Sequence, residues 1–128
     1  MLDSLLVAEK TIVTAKGDGP PVALDGARNR VFLITLDITE IVEQESFELS
    51  VYGSADGQTW TTLPLLRFPQ VFYVGQTPAL LDLTAKPEVR VLRAHWEVNR
   101  WGRGSEVPRF GVGVRVREVE KEMLAAHE

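Results

Sequence analysis

The most regular stretch of the chain is Ser46 to Trp60, SFELSVYGSADGQTW. Phe47, Leu49 and Val51 alternate with Glu48, Ser50 and Tyr52, which gives one apolar and one polar face, the period of a half-buried β-strand. Gly53-Ser54 end the strand. Asp56-Gly57 then supplies turn chemistry, because glycine tolerates positive φ and an Asp side chain bonds nearby backbone N–H groups. Trp60 and Thr61-Thr62 restart a β-prone segment, so the stretch predicts a hairpin.

Two later segments carry the same period. In Glu88 to Val98, Leu92, Ala94, Trp96 and Val98 share one face and Arg93, His95 and Glu97 the other. In Pro108 to Arg117, Phe110, Val112, Val114 and Val116 share a face, opposite Arg109, Gly111, Gly113, Arg115 and Arg117. Paired as a hairpin, these strands set Trp96 opposite Phe110, Ala94 opposite Val112 and Glu97 opposite Arg109, with Arg93 and His95 facing Gly111 and Gly113. The two glycines then leave a trough, filled by a bulge or close-packed neighbour or else by a partner strand or ligand.

The remaining signals are shorter. Leu5 to Thr14 reads as a first strand broken near Glu9-Lys10, and Lys16 to Pro21, KGDGPP, as a loop. Val22 to Leu24 is a brief extended piece before an Asp25-Gly26 turn. Arg30 to Thr39 lacks clean alternation until Leu36 and Ile38, which predicts a central strand buried on both sides at its start. Glu40 to Glu45 is acidic and reads as a loop or one helical turn. Val71–Val74 and Ala79–Leu83 read as two strands split by Gly75 and Pro78. The end, from Glu118, is charged and helix-prone.

About eight short strands with frequent turns and no amphipathic helix before residue 118 predict an all-β fold, an antiparallel β-sandwich or jelly roll. A single domain over 1–117 and a charged C-terminal tail over 118–128 account for the chain of 128 residues.

Composition narrows the function classes. With no cysteine, thiolate metal sites, disulfides and cysteine nucleophiles are excluded. The net charge of −4 argues against nucleic acid as a partner. No apolar run approaches the ~20 residues of a membrane span, and no basic region precedes the short apolar run of MLDSLLVAEK, so a cytoplasmic location is expected. His95 and His127 are the only histidines, too few for a cupin-type metal site, and no nucleophile-elbow motif aims a serine at His95. The expectation is no enzyme, no metal and no cofactor. The carboxylate pairs Glu43/Glu45 and Glu118/Glu120 read as solvated.

Charge is unevenly placed. Seven of the ten arginines, Arg90, Arg93, Arg100, Arg103, Arg109, Arg115 and Arg117, fall in one C-terminal window, while Asp37, Glu40, Glu43, Glu45 and Glu48 form an acidic counterpart. The two regions neutralise each other within a molecule or meet between copies. Arg100, Trp101 and Arg103 combine planar charge with an aromatic ring, which suits an interface anchor, a sugar-stacking surface or an anionic partner; alternatively Trp101 caps the end of the sandwich. The candidate partner or ligand contacts are Arg93, His95, Arg100, Trp101, Arg103 and Arg109.

The motif Ser54-Ala55-Asp56-Gly57-Gln58-Thr59-Trp60 resembles the S-x-D-G-x-x-W hairpin of discoidin-type domains, which are galactose-binding-like jelly rolls, and Val91 to Trp96 is similar to a second strand of theirs. Their calcium and sugar loops have no counterpart here, so no binding residue carries over. In overall layout, Phe32–Thr39, Ser54–Trp60 and Arg93–Val114 follow the order seen in small β-sandwich proteins of phages and prophages. That resemblance implies a virion structural or attachment component without catalysis, joined to copies of itself or to other subunits. The competing expectation is a galactose-binding-like carbohydrate-binding module, with Trp101 or Tyr52 stacking on a saccharide.

Overall fold

The structure, a computed structural model, describes residues 2–25, 27–41, 45–100 and 109–119. Among these residues it is all-β, with nine strands: β1 (Asp3–Val13), β2 (Gly17–Asp18), β3 (Val22–Ala23), β4 (Val31–Ile41), β5 (Glu45–Ser54), β6 (Leu66–Arg67), β7 (Gly75–Asp82), β8 (Val91–Arg100) and β9 (Phe110–Glu118). Two antiparallel sheets form, one in the order β1-β9-β4-β7 and the other β2-β8-β5-β6, with β3 also pairing β8. Because β2 and β3 are two pieces of one edge interrupted at Gly19-Pro20-Pro21, the chain shuttles between sheets in jelly-roll order.

Alternation decides which faces meet. Phe47, Leu49 and Val51 of β5 and Leu92 and Ala94 of β8 lie fully buried against Phe110, Val112, Val114 and Val116 of β9. The Phe47 and Phe110 rings bridge the two sheets, centroids 5.3 Å apart and planes at 58°, and burying each contributes about 1.5–3 kcal/mol. In β4 the alternation runs from the start: Phe32, Ile34, Leu36 and Ile38 are buried while Val31, Leu33 and Thr35 are half-buried. The strand is central, but buried on one face and only shielded by neighbouring side chains on the other.

The expected β8–β9 hairpin does not form. β9 inserts between β1 and β4, and β8 pairs β5 in the opposite sheet. Trp96 therefore faces Leu49, and Glu97 faces Glu48 rather than Arg109. Both strands alternate perfectly well in either arrangement, so period alone cannot assign them to a sheet. Gly111 and Gly113 sit opposite bulges. Thr39 and Glu40 of β4 crowd Gly111, where a Cβ would lie 2.7 Å from Thr39 Oγ1. Ala8 to Lys10 of β1 bulge over Gly113, with Lys10 at φ 59° and Glu9 Cα 3.2 Å from where a Cβ would be. The break expected at Glu9-Lys10 is this bulge, and of the two readings of the trough the close-packed neighbour holds.

Three further expectations change. Pro78 does not split a strand: β7 begins at Gly75 and runs through Pro78, which an edge strand tolerates, while Val71–Val74 forms no strand and Val71 only an isolated bridge to Phe47. Gly17-Asp18 is not wholly loop, since it pairs Trp96 and His95. Glu118 ends β9 rather than opening a tail, and its carboxylate, like that of Glu45, is buried. Residues 42–44 of the acidic connection and 120–128 of the tail lie outside the described residues.

Candidate functional site

The polar face of β5 and β8 is the outer face of the second sheet. Antiparallel register lines up Asp18, His95 and Ser50 across three strands, with Arg67 of β6 beyond Ser50 and Tyr52 beside Arg93 in the next row. The Asx and serine chemistry after β5 sets a tryptophan at one end. Ser54 Oγ lies 2.7 Å from Thr59 O and 3.0 Å from Asp56 Oδ1, and accepts the Gly57 N–H at 2.8 Å. Asp56 accepts the Gln58 and Thr59 N–H groups at 2.8 and 2.9 Å. Those backbone bonds, Thr59's first, hold its carboxyl below the usual range. Gly57 takes φ 81°, and Trp60 returns to bridge Ser54.

Around Trp60 the side chains interlock. The Arg93 guanidinium lies over the indole at 4.3 Å from its centroid. His95 Nδ1 is 2.9 Å from Asp18 Oδ1, and Arg93 Nε is 3.8 Å from the same oxygen with no hydrogen-bond acceptor among the described residues. Tyr52 meets His95 edge-on, centroids 5.9 Å apart. An open depression of about 290 Å³ lies among Asp18, Tyr52, Trp60, Thr61, Arg93 and His95. A second, of about 210 Å³, shares Tyr52 and His95 with it and is lined also by Glu48, Arg67 and Glu97.

Asp18, His95 and Ser50 are the residue types of a hydrolytic triad in one row. No hydrogen bond joins Ser50 to His95 among the described residues, and the β5 and β8 backbone N–H groups that would make an oxyanion hole lie in the sheet plane, engaged in the ladder. The row is a polar surface rather than an assembled nucleophile.

The sequence-derived candidates scatter. Arg93 and His95 lie together in this groove. Arg109 stands elsewhere, at the start of β9, where its N–H donates to Glu45 Oε1 at 2.9 Å and its guanidinium is 3.5 Å from Glu40 Oε2. At that corner the acidic and arginine-rich segments meet within one molecule. Arg100 closes β8 opposite Glu45, and Trp101 and Arg103 lie outside the described residues. Asp18 and Trp60 complete the groove and are not among the sequence-derived candidates. Asp18 sat in an apparent loop 77 positions from His95, and Trp60 was read only as the far side of a turn. The turn motif that fixes Trp60 was the available signal.

A different surface is apolar. Phe72, Tyr73 and Val74 are 57, 56 and 57% exposed, and Leu63 and Leu80 are also exposed. The Phe72 and Tyr73 rings contact each other edge-on at 6.1 Å.

No protein-family model matches the chain, nor does any curated protein or solved structure. No helix among the described residues is long and apolar enough to cross a membrane, and no group of three or more potential metal ligands occurs among them.

Proposed function

We propose that this chain is a non-catalytic assembly module that associates with copies of itself, in keeping with its resemblance to small β-sandwich proteins of phage and prophage particles. The observation that carries the reading is the run Phe72-Tyr73-Val74, three consecutive large apolar residues each more than half exposed. Contiguous apolar side chains on a surface mark contacts with other proteins, and aromatic residues are enriched where such contacts are driest. The run leads directly into β7, an edge strand, so it lies at the rim of a sheet where another subunit has access. The charge asymmetry is a weaker driver, because Arg109 is met by Glu40 and Glu45 of its own chain.

Light scattering during size-exclusion chromatography, at low and high salt and over a range of protein concentration, tests the reading. The expected result is a mass above that of one chain, little changed by salt, reduced to one chain by the double substitution Phe72→Ser and Tyr73→Ser. A strict monomer at every concentration overturns it.

A further inference from the structure

Independently of self-assembly, we infer that the groove on the outer face of β5 and β8 is a binding site for a neutral saccharide. Its aromatic borders are Tyr52 and Trp60, the latter fixed in orientation by the Arg93 guanidinium on one face of the indole. Rings held in place at the edge of an open polar depression are the platforms on which the C–H faces of sugars pack. Between and beyond the rings stand planar hydrogen-bonding groups: the Asp18 and Glu48 carboxylates, the Arg67 and Arg93 guanidinia and the His95 imidazole. Carboxylates accept and guanidinia donate in pairs, which matches adjacent hydroxyls that do both.

The charge arrangement selects the ligand class. Both signs alternate along the groove, so it presents no uniform field to a polyanion or a polycation. Glu48 and Glu97 face each other across the ladder, both exposed, an arrangement of like charges that costs stability. Hydroxyl groups donating to both carboxylates answer that arrangement without adding charge. The face from Glu48 to Tyr52 spans about 14 Å of strand, and the two depressions lie side by side on it, sharing Tyr52 and His95 in their linings. The site is therefore open and elongated, suited to a chain of sugars rather than to one enclosed ring.

Affinity electrophoresis tests this. The full chain is run through native gels containing soluble β-glucan, xylan, galactan or mannan, with polygalacturonate and heparin as anionic comparisons and EDTA throughout to remove metal-mediated binding. The expected result is retardation by at least one neutral polysaccharide, weakened at least tenfold by Tyr52→Ala and by Asp18→Asn, with thermal transitions and oligomeric state unchanged. The Phe72→Ser, Tyr73→Ser variant is expected to bind as the parent does, which separates this site from the assembly surface. Absence of retardation by every neutral polysaccharide overturns the inference. So does retardation by the anionic polymers alone, or retardation that survives both groove substitutions. Should a groove variant melt early, Tyr52→Phe, which removes only the hydroxyl, is expected to retain retardation, and its loss there also counts against a stacking platform.

Discussion

The carboxylate of Glu118 accepts two hydrogen bonds from Asn29, one from the backbone N–H and one from the side-chain amide, each 3.1 Å long. The Arg28 N–H reaches the same carboxylate at 3.2 Å, and the Leu2 N–H binds its other oxygen. One buried side chain at the end of β9 thus ties together the start of β1 and the approach to β4. Glu118→Ala removes the acceptor from several part-buried backbone donors, each costing about 1–3 kcal/mol when left unmet. The expected loss is about 3 kcal/mol of unfolding free energy by urea titration, with the slope unchanged. A loss below about 0.5 kcal/mol would show that water reaches those donors freely.

Acid should loosen the same corner. Burial alone would raise the Glu118 pKa, but the bonds from Leu2, Asn29 and Arg28 outweigh it and hold the pKa below its ordinary value of 4.5. Asp3 is also held low, first by its paired hydrogen bonds with Arg115, at 2.7 Å each. A carboxyl whose pKa is lower folded than unfolded binds fewer protons in the folded state. Its stabilisation is therefore complete above the unfolded pKa and drains away as pH falls through the folded one. Both contacts join β1 to β9, so amide hydrogen exchange near Leu2 to Leu5 is expected to accelerate, relative to the intrinsic rate, below about pH 4.5 and before global unfolding. Protection that is flat down to global acid unfolding would contradict the assignment.

The two glycines of β9 should respond unequally to a methyl group. At Gly111 an added Cβ meets Thr39 Oγ1 at 2.7 Å and Glu40 Cβ at 3.0 Å, inside a bulge whose register pins β4. At Gly113 the nearest atom is Glu9 Cα at 3.2 Å, on a bulge of the edge strand β1, which is paired on one side only. Gly111→Ala is expected to cost about 1–3 kcal/mol, the range for overpacking, and Gly113→Ala less. Equal effects would mean that the β1 bulge is as rigid as the β4 one. Thermal melts of the two variants decide.

These glycines also show where the sequence was readable and where it was not. The inward faces of β5, β8 and β9 could be read directly, because a period of two is a local property and burial follows it residue by residue. The bulge at Glu9-Lys10 was readable for the same reason, as two charges interrupting an apolar strand. Pairing was not local. β8 and β9 are consecutive and similar in pattern, yet a jelly roll sends them to opposite sheets, and the residues that fill the space at Gly111 and Gly113 come from β4 and β1, far away in sequence. The groove was half visible: Arg93 and His95 stood out on an alternating strand, whereas Asp18 joins them only because β2 pairs with β8. Arg109 shared their composition but not their place. Glu45 and Glu118 looked solvated because each stands in a charged run, and nothing in such a run marks the one carboxylate whose neighbours will be backbone N–H groups.

Pro78 gives the last test. It lies in the middle of β7 and is paired with Thr35 in a ladder that runs from Val31–Asp82 to Ile38–Gly75 without a register shift. A proline has no N–H to exchange with Thr35, so this is a non-hydrogen-bonded pair and the missing N–H belongs to the outward edge. The edge strand beside the exposed Phe72-Tyr73-Val74 run is thereby left without a donor at its centre, which hinders another strand from docking along it in register. Pro78→Val restores that donor with a strong β-former and leaves the pairing to β4 intact. The expected outcome is a folded protein with a thermal midpoint equal to or above the parent's. Its aggregation on incubation is expected to be faster, read as turbidity and thioflavin fluorescence, and suppressed again by Gln76→Lys on the same exposed edge. If Pro78→Val instead unfolds the domain, the proline acts through the packing of β7 on β4. If it folds and aggregates no faster than the parent, the edge is protected by something other than the absent N–H.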